Sequence, residues 1–248
     1  SLVREKGMEK TAFVTGADRG LGYCLTDLLL KEGYRVFASR YIRDWDWLDR
    51  LKESCGDRLY IVDLDVSDQA SVDEAVGQIK ARTDSLDLLI NNAGIAGSKD
   101  EDGSIFDEID YDEVTRIYQV NTLGALRVTQ GLVDLVMNSR DKLIVNISSE
   151  AGSIGRCYRT GWFSYAMAKA ALNMQSAMVH NAIYKKGGQV LVIHPGWLKT
   201  YMLGHVNDEA DFPPEKAASD IYGLILRKDE FKADSPAFLD HLGNHWPW

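Results

Sequence analysis

The chain reads Thr15-Gly16-Ala17-Asp18-Arg19-Gly20-Leu21-Gly22 between a short apolar run and a helical pattern. Glycines at such a turn let the backbone approach a pyrophosphate closely, and the N-terminus of the following helix favours its negative charge. A glycine cluster alone would equally suit a tight turn. Its place after the first predicted strand of an alternating strand–helix chain favours a dinucleotide-binding loop.

Short apolar or β-branched runs alternate with helical patterns along the chain. Strands are predicted near residues 12–15, 35–38, 59–63, 86–91, 143–148, 190–194 and 237–240. Helices are predicted near residues 20–32, 45–54, 69–82, 112–137, 164–184 and 214–226. The strands are nearly continuous apolar runs, as expected where helices cover both faces of a parallel sheet. The alternation predicts an α/β fold, a Rossmann-type doubly wound parallel sheet of about seven strands.

The chain shows no linker, repeat or low-complexity stretch that would divide it. Residues 1–248 are therefore predicted to form a single dinucleotide-binding and catalytic domain. The polar start, residues 1–7, is expected to be frayed or not native. The long connection at residues 197–213 is placed like a lid over a substrate.

The composition excludes several classes of function. A net charge of −9 argues against a nucleic-acid-binding surface. No apolar run approaches the roughly 20 residues that span a bilayer, so no membrane segment is expected. Three widely spaced cysteines without a Cys-x-x-Cys pair predict neither a disulfide scaffold nor a metal site. A reducing, cytoplasmic location fits these cysteines best.

Tyr165 and Lys169 lie four residues apart in a run of helix formers, so one face of a helix would carry both a phenol and an ammonium. A free phenol has a pKa near ~10 and is a poor acid or base at neutrality. At about 4 Å and an effective dielectric of about 20, the ammonium would stabilise the phenolate by roughly 4 kcal/mol. That energy would bring the pKa of Tyr165 near ~7, where general acid–base catalysis works best.

Further motifs follow in order along the chain. Asn91-Asn92-Ala93-Gly94 ends the fourth predicted strand, Asn121 lies within a helix, Ser148-Ser149 ends the fifth strand, and Pro195-Gly196 follows the sixth. Together with the glycine loop and Tyr-x-x-x-Lys, this set resembles the short-chain dehydrogenase/reductase family. Residues 194–200 (His-Pro-Gly-Trp-Leu-Lys-Thr) and the ending 243–248 (Gly-Asn-His-Trp-Pro-Trp) resemble the C-factor and Sniffer branch of its carbonyl reductases.

The resemblance implies a catalytic set and a set of cofactor contacts. The catalytic residues would be Asn121, Ser149, Tyr165 and Lys169. The cofactor contacts would be Gly16, Asp18, Arg19, Gly20, Leu21, Gly22, Arg40, Asp65, Val66, Asn92, Ala93, Gly94, Tyr165, Lys169, Pro195, Gly196, Leu198 and Thr200. No metal ligand is predicted.

The family pattern also implies a role for each catalytic residue. Ser149 would hold the substrate carbonyl oxygen while Tyr165 delivers a proton, and Lys169 would also bind the nicotinamide ribose. The gap between Ser149 and Tyr165 is longer than in many relatives, which leaves the choice between Ser148 and Ser149 open. Asn121 would bind a water that links Lys169 to solvent, or it would be a buried Asn with local hydrogen bonds.

Two cofactor contacts have alternatives of their own. Asp65 would accept a hydrogen bond from the adenine, or it would cap the helix that begins near Asp68. Arg40 stands where NAD-dependent folds usually carry an acid for the adenosine 2′-hydroxyl, and Arg19 adds a guanidinium inside the glycine loop. Two guanidiniums suit forked contacts to a 2′-phosphate, so NADP(H) is preferred and NAD(H) is the alternative. Otherwise Arg19 pairs with a surface acid, Arg40 is merely solvated, or Asp44 folds back toward the site.

The function predicted is NADPH-dependent reduction of a ketone or aldehyde, with Tyr165 as the general acid. The alternatives are an NAD-dependent alcohol dehydrogenase and a cofactor-binding signalling or regulatory protein of the C-factor type. Apolar residues near the pocket mouth indicate an apolar small-molecule substrate, or only lid packing: Trp162, Phe163, Trp197, Met202 and Leu203. The resemblance also implies a homodimer or homotetramer.

Overall fold

The computed structural model describes residues 9–97, 103–199 and 213–248. Seven strands occur in them: β1 (Thr11–Val14), β2 (Arg35–Arg40), β3 (Leu59–Asp63), β4 (Leu88–Asn91), β5 (Leu143–Ile147), β6 (Gln189–His194) and β7 (Ala237–Asp240). They form one sheet in the order β3-β2-β1-β4-β5-β6-β7, and every neighbouring pair is parallel. The predicted doubly wound α/β fold is confirmed.

The helices lie on both faces of this sheet. They are α1 (Gly20–Lys31), α2 (Trp47–Cys55), α3 (Gln69–Lys80), α4 (Tyr111–Tyr118), α5 (Ala125–Asn138), α6 (Phe163–Tyr184) and α7 (Pro214–Leu226). Helices α1, α2 and α7 share one apolar core with strand residues such as Val14. Helices α3, α5 and α6 share a second core with strand residues such as Phe13. Adjacent strand residues thus enter opposite cores, which explains why the strands are apolar throughout.

Strand β1 lies at the point where the strand order reverses. It pairs with β2 on one side and with β4 on the other, so the chain winds away from β1 in both directions. The loops after β1 and β4 therefore separate at the carboxyl edge and leave a crevice between them. In open α/β sheets this crevice is where ligands bind.

The largest difference from the sequence prediction is in the helix expected at residues 112–137. The helical segment runs from α4 to α5, but residues Gln119–Gly124 form a π-helix in its middle. The wider turn lies at Asn121, a position that the apolar periodicity does not mark. Smaller differences affect boundaries: α2 begins at Trp47 rather than at residue 45, and β4 begins at Leu88 rather than at residue 86.

Two predicted segments fall on residues outside the described ranges. These are the start at residues 1–7 and most of the lid at residues 197–213, including Thr200. Within the described parts of the chain, no helix combines the length and apolar character needed to cross a membrane.

Glycines allow the loop after β1 to pack against the loop after β4. Gly16 has φ +61°, and a Cβ on it would lie 2.9 Å from the Cα of Ala93. A Cβ on Gly22, in the first turn of α1, would lie 2.2 Å from the Gly16 carbonyl oxygen and 2.5 Å from Nδ2 of Asn92. Both distances are too short for any real Cβ, so the loop and helix would have to move apart.

We therefore expect Gly22→Ala to lower the free energy of unfolding by about 1–3 kcal/mol, as overpacked sites do. Urea denaturation measures this change. The matched control is Gly77→Ala in α3, where a Cβ would meet nothing within 4 Å. This control should raise the stability by about 0.5–1 kcal/mol, because glycine is a poor helix former. Equal effects of the two substitutions would contradict the packing argument.

Candidate active site

A cavity of about 1040 Å³ opens at the carboxyl edge of the sheet, where the strands from β1 to β6 end beside the start of α6. Most of the site residues predicted from the sequence line it: Gly16, Asp18, Arg19, Gly20, Leu21, Asp65, Val66, Asn92, Ala93, Gly94, Ser149, Tyr165, Lys169, Pro195, Gly196 and Leu198. Gly22, Arg40 and Asn121 are not part of this lining. Thr200 lies outside the described residues.

Thr15 joins the loop after β1 to the loop after β4. Its Oγ1 accepts hydrogen bonds from the backbone N–H groups of Asn92 and Ala93, both at 3.0 Å. In return, Nδ2 of Asn92 donates to the carbonyl oxygens of Thr15 and Gly16 at 3.1 Å. These four bonds hold the two sides of the crevice at a fixed separation.

The glycine loop is also tied to the end of β2 and to the residues that follow it. The backbone N–H of Gly16 donates to Oγ of Ser39 at 2.9 Å. The buried carboxylate of Asp18 accepts from the backbone N–H of Ile42 at 2.9 Å, so its side chain has a structural partner. Gly20 has φ +56° and begins α1. The loop therefore presents backbone and the N-terminus of α1 to the cavity, as a pyrophosphate site requires.

Arg40, which was expected to contact the cofactor, does not line the cavity in this structure. Its Nε donates to Oδ1 of Asp63 at 3.2 Å, and its Nη1 donates to both carboxylate oxygens of Asp49 at 3.0 and 3.1 Å. Arg43 donates to the other oxygen of Asp63 at 2.5 Å. Two carboxylates thus neutralise the charge that was expected to be available, and neither of them is Asp44.

Arg19 is the predicted guanidinium that the structure does place at the cavity. It is the N-cap residue of α1, with extended backbone, and it lines the cavity. Within the described ranges, no carboxylate forms an ion pair with it. Its charge is therefore available to a bound anion.

Asp65 lines the cavity and does not cap α3. Its Oδ1 accepts from the backbone N–H and the hydroxyl of Ser67 at 2.9 and 2.6 Å. The N-cap of α3 is Asp68, whose carboxylate accepts from the backbone N–H of Ser71. The alternative of a capping role for Asp65 is thus wrong.

The structure separates the two serines after β5. Ser148 is buried, and its hydroxyl donates to Oδ1 of Asn173 at 2.6 Å. Ser149 accepts from the backbone N–H of Ala151 at 3.1 Å, and its hydroxyl lowers the pKa of the Tyr165 phenol. Of the two hydroxyls, that of Ser149 is therefore the one beside the phenol.

Tyr165 and Lys169 are both buried in the first turns of α6, with exposed fractions of 6% and 3%. Nζ of Lys169 donates to the carbonyl oxygen of Ile147 at 3.0 Å and lies 5.6 Å from the centroid of the Tyr165 ring. Burial raises the pKa of Tyr165 to about 12, although Ser149 opposes this effect. Burial likewise lowers the pKa of Lys169 to about 8. The expected near-neutral pKa of Tyr165 is wrong for this structure, because desolvation of the buried phenol is the largest effect on it.

The amide of Asn121 forms two hydrogen bonds with the backbone of one residue. Its Oδ1 accepts from the N–H of Ile95 at 2.8 Å, and its Nδ2 donates to the carbonyl oxygen of Ile95 at 2.7 Å. A Cβ on Gly94 would lie 3.4 Å from Asn121 Oδ1 and 3.6 Å from Lys169 Nζ. Asn121 and Lys169 therefore both lie beside Gly94. The Asn121 side chain holds the segment after β4 in place.

A family model for short chain dehydrogenases matches residues 10–211. The chain belongs to the short-chain dehydrogenase/reductase family, whose enzymes depend on NAD(P). Estradiol 17-beta-dehydrogenase 2 of Rattus norvegicus is 31% identical over 198 residues, 79% of this chain and 50% of the relative. The chain thus spans about half the length of that relative. C-signal of Myxococcus xanthus is 30% identical over 167 residues, 67% of this chain and 95% of the relative.

Solved structures of this family are similar over nearly the whole chain. NADPH-bound carbonyl reductase from chicken fatty liver has a TM-score of 0.83 and 29% identity, covering 97% of this chain and 99% of that one. Carbonyl reductase Sniffer of D. melanogaster has a TM-score of 0.85 and 24% identity, covering 98% and 100%, and shares the fold. The resemblance to the short-chain dehydrogenase/reductase family, with C-factor and Sniffer-type relatives, is confirmed.

Sequence reasoning missed an ion pair in the wall of the cavity. Glu150 forms a two-pronged salt bridge with Arg159, one contact of which measures 3.0 Å. Both residues line the cavity beside Tyr165. The eight residues between them continue a short 3₁₀ turn and then lie in bends and turns, so no helical or strand spacing could have signalled the pair.

The described residues contain no group of three or more His, Cys, Asp or Glu side chains that could hold a metal ion. Four ionisable side chains line the cavity near the start of α6: Glu150, Arg159, Tyr165 and Lys169. Of these, Tyr165 and Lys169 are the most deeply buried.

The lowered pKa of Lys169 predicts a measurable dependence of stability on pH. In the unfolded chain the ordinary lysine pKa is 10.5, whereas in the folded protein it is about 8. Between these values the unfolded state binds more protons, so the stability of the wild type should rise with pH in that window. We expect the unfolding free energy of the wild type, relative to Lys169→Met, to increase by about 3 kcal/mol from pH 8 to 10.5.

Urea denaturation of the two proteins at a series of pH values measures this difference. Lys185→Met is the matched control, because Lys185 is an exposed lysine at the end of the same helix. Its stability should follow that of the wild type across the series. A constant gap between wild type and Lys169→Met would show that the folded protein tolerates the buried charge without cost.

Proposed function

We propose that this protein is an NADPH-dependent carbonyl reductase that converts a ketone or aldehyde to an alcohol. The observation that carries the proposal is the grouping of Ser149, Tyr165 and Lys169 in one cavity, with the Ser149 hydroxyl near enough to Tyr165 to lower the pKa of the phenol. The similarity to carbonyl reductases over nearly the full chain supports the same reading.

The residues present fit a nicotinamide dinucleotide. Gly16, Gly20 and the N-terminus of α1 offer a backbone cradle for the pyrophosphate. Gly94 and Lys169 line the same cavity, where the ammonium would hold the nicotinamide ribose. When bound, the cofactor supplies the hydride, and the protein's task is to orient the groups and provide the proton.

Proton transfer is the step that this chain's own residues perform. Ser149 would hold the substrate carbonyl oxygen, and Tyr165 would give its proton to the same oxygen as the alcohol forms. A donor must keep its proton until that moment. Because burial raises the pKa of Tyr165 to about 12, the phenol is protonated at neutral pH. This state suits reduction, whereas an NAD-dependent alcohol dehydrogenase acting in the oxidative direction would need the phenolate.

We also propose that the protein prefers NADP(H) to NAD(H). Arg19 would contact the adenosine 2′-phosphate from the glycine loop. Arg40 would add a second contact only by exchanging Asp49 for the phosphate, since Asp49 holds its guanidinium in this structure. Similar structures with bound NADPH and NADP support the choice. NAD(H) is the alternative cofactor, and the Arg40–Asp49 pair favours it.

A signalling or regulatory role is the second candidate function. C-signal of Myxococcus xanthus, at 30% identity, is the observation that favours it. The buried Tyr165–Lys169 pair speaks for catalysis, because a binding module gains nothing from burying an ammonium at the cost of stability.

Assembly as a homodimer or homotetramer and a cytoplasmic location complete the proposal. Exposed apolar side chains on α6 support assembly, since Met167, Met174 and Met178 are each more than half exposed. Tyr118 and Leu126 add exposed apolar surface on α4 and α5. Contiguous apolar surface of this kind often marks an interface.

We expect Tyr165→Phe to lower kcat for carbonyl reduction by about 10²–10⁴-fold, the usual contribution of a general acid. The Kd for NADPH, measured by the fluorescence of the bound cofactor, should change by less than about two-fold, because the aromatic ring remains and only its hydroxyl is lost. A panel of aldehydes, diketones, quinones and steroids supplies the substrates. Tyr34→Phe is the control, since Tyr34 is a buried tyrosine outside the cavity. Full turnover by Tyr165→Phe would refute the catalytic assignment, and undiminished biological activity of an inactive variant would favour signalling.

Substitutions of Arg40 and Asp49 test the preference for NADP(H) over NAD(H). We expect Arg40→Ala to raise the Kd for NADPH by about ten-fold, because a charge-assisted hydrogen bond to the phosphate is lost. We expect Asp49→Asn to lower that Kd by about three-fold, because Arg40 is released. Neither substitution should change the Kd for NADH by more than about two-fold.

The control for Asp49 is Asp46→Asn, which removes a carboxylate that pairs with Arg50 instead. It should leave both cofactor affinities unchanged. Equal changes in NADPH and NADH binding by the Arg40 or Asp49 variants would exclude a contact between Arg40 and the 2′-phosphate.

A further inference from the structure

Trp162 has an unusual backbone conformation for a large side chain. It precedes α6 directly, and its φ and ψ of 62° and 43° lie in the left-handed region. Bulky residues avoid this region because Cβ crowds the backbone, and a glycine would adopt it without cost. The chain has a glycine at the neighbouring position, Gly161, yet it places a tryptophan at the left-handed one. Such strain persists only where other contacts maintain it.

The indole of Trp162 makes two such contacts at the active site. Its ring stacks on the ring of Tyr165, with centroids 4.4 Å apart and planes 16° apart. Its Nε1–H donates to the carbonyl oxygen of Ala96 at 3.3 Å. Arg159 lies over the same indole, 5.5 Å from its centroid. The indole is therefore fixed between the phenol and the segment that follows β4.

These contacts connect two of the candidate catalytic residues across the cavity. Asn121 holds the backbone of Ile95 by two hydrogen bonds, and Ala96 is the next residue. Ala96 accepts the indole N–H, and the indole covers one face of the Tyr165 ring. A displacement of the segment after β4 would therefore shift the ring of Tyr165.

We propose that Trp162 is a positioning residue that fixes the plane of the Tyr165 ring and shields it from water. The inference rests on the proposed role of Tyr165 as the proton donor. The hydroxyl must point at the substrate oxygen, and a small misplacement of a reacting group costs a large factor in rate. Stacking restricts rotation of the ring about its Cβ–Cγ bond, while the left-handed backbone aims the indole at it.

Shielding by Trp162 also affects the titration of Tyr165. Burial is the main cause that raises the pKa of this phenol. The charged groups that face it are Lys169 on its own helix, Glu150 after β5 and Arg159 before α6. Removal of the indole would admit water while leaving these charges in place. The pKa of Tyr165 should then fall toward its ordinary value, so the loss of reductive activity at high pH should begin at a lower pH.

Three substitutions of Trp162 distinguish the effect of ring stacking from the effects of backbone strain and of side-chain volume. Trp162→Phe keeps an aromatic ring but removes the donor to Ala96. Trp162→Leu keeps apolar volume without a flat ring. Trp162→Gly removes the side chain and also relieves the left-handed strain, so its stability should stay close to that of the wild type. For each variant the measurements are kcat and KM for the carbonyl compound, the Kd for NADPH, the thermal midpoint and the pH profile of kcat.

The proposal expects a selective loss of kcat. The Leu and Gly variants should lose about ten-fold in kcat, with the Kd for NADPH within about two-fold of the wild type. The Phe variant should stay within about three-fold, because the stack is retained. In the Gly variant, the high-pH decline of kcat should move to lower pH. Equal kcat in the Leu and Phe variants, or an unshifted pH profile in the Gly variant, would overturn the proposal.

A second measurement keeps the inference testable if no carbonyl compound is reduced by the wild type. The ultraviolet absorbance of phenolate reports tyrosine titration without turnover. Comparison of each protein with its Tyr165→Phe counterpart isolates the signal of that one phenol. A lower pKa of Tyr165 in the Gly variant than in the Phe variant supports the shielding role even if the proposed reaction is wrong. Identical titration in the two variants would overturn it.

Discussion

Burial of the Lys169 ammonium is the constraint on which the architecture of the site depends. A charge in an apolar interior is costly unless nearby dipoles compensate it, and here the carbonyl oxygen of Ile147 accepts one hydrogen bond from it. Two glycines leave the lysine its space. A Cβ on Gly152 would lie 2.8 Å from the Lys169 carbonyl carbon, and one on Gly94 would contact its Nζ. The same close approach at Gly152 brings the turn after β5 against α6, which sets Ser149 beside Tyr165.

Much of the fold could be predicted because parallel strands buried on both faces leave a clear apolar pattern. The seven apolar runs, each followed by a helical or turn pattern, correspond to the seven strands. The π-helix at Gln119–Gly124 could not be predicted in this way. Apolar residues recur through it at nearly helical spacing, and the cause of the extra residue is tertiary. The Asn121 amide is satisfied only by the backbone of Ile95, which lies far away in the sequence.

In the candidate site, too, some residues could be placed from the sequence and others could not. Residues whose role depends on backbone position, such as Gly16, Asn92 and Gly196, lie at the cavity because their loops must end at the carboxyl edge. Arg40 was misplaced because the direction of a long side chain depends on which charges surround it, and Asp49 and Asp63 come from other elements. The pKa of Tyr165 was misjudged for a related reason. A pairwise attraction was estimated from spacing, whereas the cost of desolvation depends on the whole enclosure of the phenol.

Whether an unusual backbone conformation points to a function depends on where in the fold it occurs. Two non-glycine residues in the described ranges have positive φ, Lys142 and Trp162. Lys142 lies in the turn before β5, where a hydrogen bond to Ser139 stabilises the turn, and its side chain has no ligand to position. Trp162 lies at the cavity, as do the π-helix and the buried Lys169. Three costly features therefore surround one phenol, and such a concentration is expected where stability has been exchanged for the geometry of a reaction.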